Sequence, residues 1–221
     1  MTGRAIAAQI GGRLSAQPAA SVAELRRLRR EFSGLLRQAP APAVIEAADI
    51  LARGPSGGRR FVAYELIRHH PSAPALLDAA TLERLGRGMS SWDEVDCFSI
   101  YLSGPAWGRR TVGDADIGRW ARSADRWWRR AAAVSTVPLN SRAHGGTGDA
   151  RRTLRVCRML EGDRDPMVVK AVSWALRELA KREPAAVRGF LSERAGALAA
   201  LVRREVRNKL DTGLKNPGRR R

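Results

Sequence analysis

Two cysteines in 221 residues are too few for a disulfide scaffold, and Cys97 and Cys157 form no CxxC pair. Histidine is almost as scarce. His69 and His70 run into Pro71, and His144 lies in a glycine-rich loop. Neither neighbourhood supplies a ligand set, so no metal site and no cofactor is expected, and all three read as surface or packing residues. No apolar run approaches the roughly 20 residues of a membrane-crossing helix, and the first residues do not resemble a signal peptide. A monomeric protein of the reducing cytoplasm, without a membrane partner, is the expectation. Sustained period-two alternation of β-branched residues is missing too, which argues against a sheet. Acid is the last shortage. Against 40 Lys and Arg stand 22 Asp and Glu, a formal charge of +18 and a pI near 11.5. Such a field opposes folding by self-repulsion, and a polyanionic partner is the usual reason to keep it. Nucleic acid is the first expectation, with an acidic protein or a membrane surface behind it. Nearly all the cations are arginine, the bidentate phosphate ligand. A chain this rich in Arg and Ala also reflects GC-rich coding, so the charge excess carries the inference and the residue type does not.

What is present is helical periodicity nearly throughout. The pattern places helix starts near Arg4, Ser21, Pro42, Arg59, Ala73, Ser91, Asp114, Ala124, Asp149, Pro166, Pro184 and Ala195. QAPAP, ARGPSGG, HHPSAP, LSGPAWG, SRAHGGTGD, GDRDP and REP separate them as turns. Pro166 and Pro184 suit a first helical turn, and Ser91 to Glu94 has the S-x-x-E form of a capping box. About a dozen helices joined by brief turns predict an all-α fold, a HEAT-like helical-repeat solenoid of stacked antiparallel helix pairs with a concave basic face. A compact irregular bundle is the alternative. Residues 1–214 read as one such domain and 215–221 as a basic, disordered tail, with Ser141 to Asp149 as the most flexible internal linker.

Three stretches carry chemistry. In KAVSWALRELAK, Val169, Val172, Ala175, Leu176 and Leu179 make one apolar face, while Lys170, Trp174, Arg177 and Lys181 form a stripe almost opposite. In SWDEVDCFSIYL, Trp92, Asp96 and Ser99 share a face. The helix dipole and the cap account for Asp93 and Glu94, but Asp96 lies beyond the first turn, beside a tryptophan. An ion pair with an arginine of the next helix is the plain explanation for it. In ARSADRWWRRAAAV, Trp127, Ala131 and Val134 line up for packing and Arg126, Arg130 and Ala133 share another stripe. Arg129 points elsewhere, as a solvated or phosphate-facing charge.

The order W-x3-D at Trp92 and Asp96, W-x-R-R at Trp127 to Arg130, and K-A-x-x-W-x-L-R-E at Lys170 to Glu178 resembles the AlkD family of HEAT-like-repeat DNA glycosylases, which act on alkylated purines. The resemblance runs from about Arg59 to Lys209; before that the chain matches only in being helical. It departs from the family in a longer, glycine-rich linker between the second and third motifs. The resemblance implies a functional quartet of Trp92, Asp96, Arg130 and Trp174, with Arg177 at a further DNA-contacting position; charge and helical placement add Lys170, Lys181, Arg126 and Arg129 to the expected DNA-binding set. It also implies action on a base left in the stack, tolerance of bulky lesions, and duplex DNA containing alkylated purines as the partner. Family members that bind DNA without glycosylase activity have altered aromatic positions, whereas this chain keeps both tryptophans and the aspartate.

The implied chemistry is coherent. A purine alkylated at N3 or N7 is cationic and leaves readily, and its departure builds oxocarbenium charge on the deoxyribose. A carboxylate at Asp96 could stabilise that charge and position water, with no metal, nucleotide cofactor or covalent nucleophile required. Trp92 and Trp174 would press on the lesion nucleotide, where cation–π contacts of about 0.5–2 kcal/mol favour a charged base over a neutral one. Arg130 and the α-helical stripe would hold phosphates. Two rivals use the same residues: a non-catalytic DNA-binding protein that senses bent or damaged duplex, and a HEAT-type scaffold for an acidic protein.

Overall fold

A computed structural model describes residues 2–54 and 57–218. Among them no strand occurs, and the expected all-α class holds. The chain divides into two compact units, Met1–Val112 and Gly113–Arg221.

The first unit contains α1 (Gly3–Ser15), α2 (Val22–Leu36), α3 (Ala41–Ala52), α4 (Gly57–His69), α5 (Ala79–Gly86), α6 (Trp92–Phe98), a π-helical segment (Ser99–Ser103) and α7 (Gly104–Gly108). Apolar spacing decides which sides meet. Leu25, Leu28, Phe32 and Leu36 bury one face of α2, and Ile6, Ile10 and Leu14 one face of α1. Each such side chain contributes about 1.5–3 kcal/mol by leaving water. Helix α1 packs on α3, α3 on α4 and α5, α2 on α4, and α4 on α6. Neighbouring pairs thus touch through corresponding members, as stacked helix pairs do.

The second unit contains α8 (Asp114–Ala121), α9 (Arg126–Val134), the single turn α10 (Val137–Asn140), α11 (Ala150–Met159), α12 (Pro166–Leu179), α13 (Pro184–Arg194) and α14 (Ala200–Thr212). The pattern repeats: α8 packs on α9 and α11, α9 on α12, α11 on α12 and α13, and α12 on α14. Helix α12 is the unit's hub.

Several boundaries differ from the sequence expectation for identifiable reasons. The helix expected at Ala73 is a 3-10 turn, Ala73–Leu76, and α5 starts later, where the Asp78 carboxylate accepts from the Thr81 amide at 2.8 Å. Asp125 caps α9 in the same way, two residues before Trp127, whose amide it accepts at 2.8 Å. Residues 195–199 form a turn, so the last helix begins at Ala200 and not at Ala195. LSGPAWG is helical: Gly104 donates back five residues to the Ser99 carbonyl, and this wide turn carries the chain through Pro105 into α7. Pro166 and Pro184 do stand in first helical turns. Of the expected basic tail, residues 219–221 lie outside the described residues, whereas Lys215 pairs with Glu205 at 3.4 Å.

Candidate nucleic-acid interface

In the first unit the candidate residues sit at the start of α6. Ser91 is extended, as an N-cap must be, but its side chain makes no capping bond. Glu94 is occupied elsewhere. One oxygen accepts from the Ser90 amide at 2.9 Å, and the other pairs with the Arg60 Nε at 3.4 Å. Arg60 reaches in from α4, almost fully buried, and donates to the carbonyls of Leu85 at 3.2 Å and Arg87 at 2.9 Å. The Tyr64 hydroxyl donates to the same Leu85 carbonyl at 3.0 Å. A buried guanidinium therefore outcompetes the local cap and pins the turn from which α6 departs. At SVAE, where no such partner intervenes, the box forms: the Ser21 amide donates to Glu24 at 2.7 Å and the Glu24 amide to the Ser21 hydroxyl at 3.4 Å. The Ser21 hydroxyl, donating to the Glu24 carboxylate at 2.7 Å, and then the Ser21 amide lower that carboxyl below its usual value.

Trp92 emerges from this pinned turn as the most exposed of the six tryptophans, at 56%. Asp96, one turn on, is partly buried on the same face and takes part in an interaction of its own. The face ends there. Ser99 begins the π-helical segment and is fully buried, so it does not continue the Trp92–Asp96 line as the helical wheel implied. On another side of α6, Cys97 and Asp93 border a recess of about 340 Å³ with Arg26, Phe61 and Tyr101. The Arg26 guanidinium lies 5.8 Å from the Phe61 ring and that of Arg68 4.3 Å from the Tyr101 ring. Burial, aided by Asp93 and Asp96, pushes the Cys97 thiol up to about 12, so it is no thiolate nucleophile at neutral pH.

The second unit holds the remaining candidates. Arg126 is exposed, 4.7 Å from the Trp127 ring and 3.5 Å from Asp165. Arg129 is not the solvated charge the sequence suggested. It pairs with Asp163 at 2.7 Å and donates to the carbonyls of Ser123 and Ala124 at 3.0 and 2.8 Å. Arg130 is 5% exposed and donates to the Met167 carbonyl at 2.6 Å, tying α9 to the first turn of α12. The acidic turn GDRDP brings Asp163 and Asp165 to the basic start of α9. Asp165 also caps α12, accepting from the Met167 amide at 2.8 Å. Its acids were readable as a helix start, but their arginine partners were not, because about 35 residues separate them.

Helix α12 matches its wheel. Val169, Val172, Ala175, Leu176 and Leu179 are buried, Lys170 and Lys181 are exposed, and Trp174 and Arg177 lie between. The stripe is not all free charge. Arg177 lies 3.7 Å from the Glu205 carboxylate of α14 and donates to the Ser173 hydroxyl at 3.3 Å, which itself donates to Glu205 at 2.6 Å. Burial pulls the Arg177 guanidinium below its ordinary value, against Glu205 and Glu178. Lys181 pairs with Glu178 at 2.7 Å and stays half exposed. Glu205, a buried acid beneath a basic stripe, had no periodic signal to mark it.

Among the described residues no group of three or more His, Cys, Asp or Glu is placed to hold a metal ion, and no helix is long and apolar enough to cross a membrane. No curated protein matches the chain. A solved structure titled a predicted DNA alkylation repair enzyme from Enterococcus faecalis is similar over 96% of this chain and 98% of its own, with a TM-score of 0.71 at 15% identity, a likeness of fold. The model of the family described as DNA alkylation repair enzyme matches residues 19–210, starting some forty residues before Arg59, where the resemblance read from the sequence begins. Over most of its length, therefore, the chain belongs to the DNA alkylation repair enzyme family.

Proposed function

We propose that the protein is a monofunctional DNA glycosylase that hydrolyses the N-glycosidic bond of cationic N3- or N7-alkylated purines in duplex DNA. The observation that carries this reading is the exposed Trp92 one helical turn from the partly buried Asp96, on a start of α6 that Arg60 and Glu94 hold in place. A tryptophan left in water is costly unless a ligand covers it, and a flat cationic base suits an indole face. As the base departs, positive charge grows on the sugar. The Asp96 carboxylate stabilises that charge and orients the water that attacks the anomeric carbon. The leaving purine is neutral once the bond breaks, so it needs no acid to depart. Trp174 contacts the lesion nucleotide, and Lys170, Lys181 and Arg126 hold phosphates. Arg130, buried against Met167, and Arg129, bound to Asp163, serve by fixing where α9 and α12 stand.

The test is release of 3-methyladenine and 7-methylguanine from methylated duplex, with Asp96→Asn beside the wild type. Base release should collapse in the variant while duplex affinity survives. Undiminished release would remove Asp96 from its role. Salt-sensitive binding without excision by the wild type would make the protein a non-catalytic reader of damaged duplex.

A further inference from the structure

The glycine-rich segment after α10 is a built platform and not the flexible linker the sequence suggested. A Cβ on Gly146 would stand 2.2 Å from the Pro138 carbonyl oxygen and 2.5 Å from the Leu139 carbonyl carbon, so backbone lies directly on backbone there. The Gly146 amide donates to the Ser141 carbonyl at 2.9 Å and the Gly148 amide to that of Leu139 at 3.0 Å. Asn140, 1% exposed, donates to the Thr136 carbonyl and the Thr153 hydroxyl, both at 2.9 Å, and accepts from the Asp149 amide at 2.9 Å. From the end of α12, Arg182 donates to the Asn140 carbonyl at 3.1 Å and to that of Gly146. Just beyond, Glu183 accepts from the Ala150 amide at 3.2 Å. The segment is thereby folded down onto the end of the helix that carries Trp174.

One side chain gains nothing from this order. Arg142, on the 3-10 turn Arg142–His144, is exposed. It borders a recess of about 470 Å³ with Ser141, Glu178, Lys181 and Arg182, three cations against one acid, and that acid is already paired with Lys181. Lys181 is also the last member of the α12 stripe. It lies eleven positions from Lys170, about 16 Å at helical rise. Helix α12 ends at Leu179, just before Lys181, and offers no further cation on that line. The platform supplies one.

We propose that this recess is a phosphodiester subsite, in which Arg142 and Lys181 hold a backbone phosphate of duplex DNA beyond the end of α12. This rests on the reading that the stripe faces DNA. The subsite carries no base recognition: it lengthens the footprint and fixes register. Ordering the loop in advance means that Arg142 is presented without further loss of backbone freedom on binding.

Binding of an unmodified duplex across a salt series, for wild type, Arg142→Ala and Arg142→Glu, tests it. Removing the grip on one phosphate should flatten the slope of log K against log salt by about 0.9. Arg142→Ala should therefore weaken low-salt affinity about five- to tenfold and Arg142→Glu more, with the melting temperature unchanged in both. Wild-type slope and affinity in both variants would overturn the subsite while leaving the DNA reading intact. A wild type that binds no duplex at low salt would overturn both. Inorganic phosphate supplies the second arm: if Arg142→Ala abolishes phosphate binding while its duplex slope stays that of wild type, the recess takes a free anion and the assignment to DNA is wrong.

Discussion

Trp92 and Trp174, the two tryptophans assigned to the lesion, are held in opposite ways. Trp92 opens a seven-residue helix and is largely exposed; what fixes it lies behind it, in the Arg60–Glu94 pair and the pinned turn. Trp174 sits within a fourteen-residue helix whose other sides are packed by α9, α11 and α14, and it is itself partly buried. A side chain on a hub helix shares in the packing that holds the unit together. One on a short helix at the surface does not, so its placement depends on a few buried polar bonds.

The largest effect is expected behind Trp92. Arg60→Ala leaves Glu94 without its cation, the Arg87 carbonyl without its donor and the Leu85 carbonyl with Tyr64 alone, and should cost about 3–5 kcal/mol of stability in denaturant unfolding. A drop under about 1 kcal/mol would mean that the turn is held by something else. Next comes Asp96→Asn, for which base release should fall about 10²- to 10³-fold at unchanged stability, the range seen when one electrostatic partner of a transition state is removed. The tryptophans themselves should then separate. Trp174→Ala, at a partly buried site, should destabilise by about 1–3 kcal/mol, less than the roughly 3–5 kcal/mol of a fully buried aromatic, and Trp92→Ala by less than about 0.5 kcal/mol, although both impair excision. Equal destabilisation would erase the contrast drawn from their burial.

At neutral pH the smallest effect comes from the thiols, one cysteine in each unit, whose influence grows only as pH rises. Burial raises the Cys157 thiol to about 12, and Cys97 reaches a similar value with Asp93 and Asp96 adding to burial. Unfolded thiols ionise near pH 8.5–9. Above that the unfolded chain binds fewer protons than the folded one, so stability that is complete below about pH 9 declines as pH rises toward 12. Melting temperature should fall through that window, and Cys157→Ala should flatten the decline. At pH 8 both thiols should label slowly, Cys97 faster because it is only partly buried.

Local periodicity told much of this in advance. The all-helical class, the proline-started helices and the division of α12 into a packed side and an indole-and-cation stripe follow from spacings of three and four residues, which any helix must express. What periodicity could not reach was competition from distant residues. SVAE and SWDE carry the same signature, and only the second forgoes its cap, because Arg60 lies 34 positions from Glu94 in sequence but 3.4 Å in space. The same distance hid the binding of Arg129 by Asp163, the burial of Arg130 against Met167, and the folding of a glycine-rich stretch onto Arg182. Charge and helical phase are properties of the chain itself. Whether an arginine meets a phosphate or a buried carbonyl is decided by which helix packs beside it, since a desolvated donor must find its partner wherever the fold supplies one.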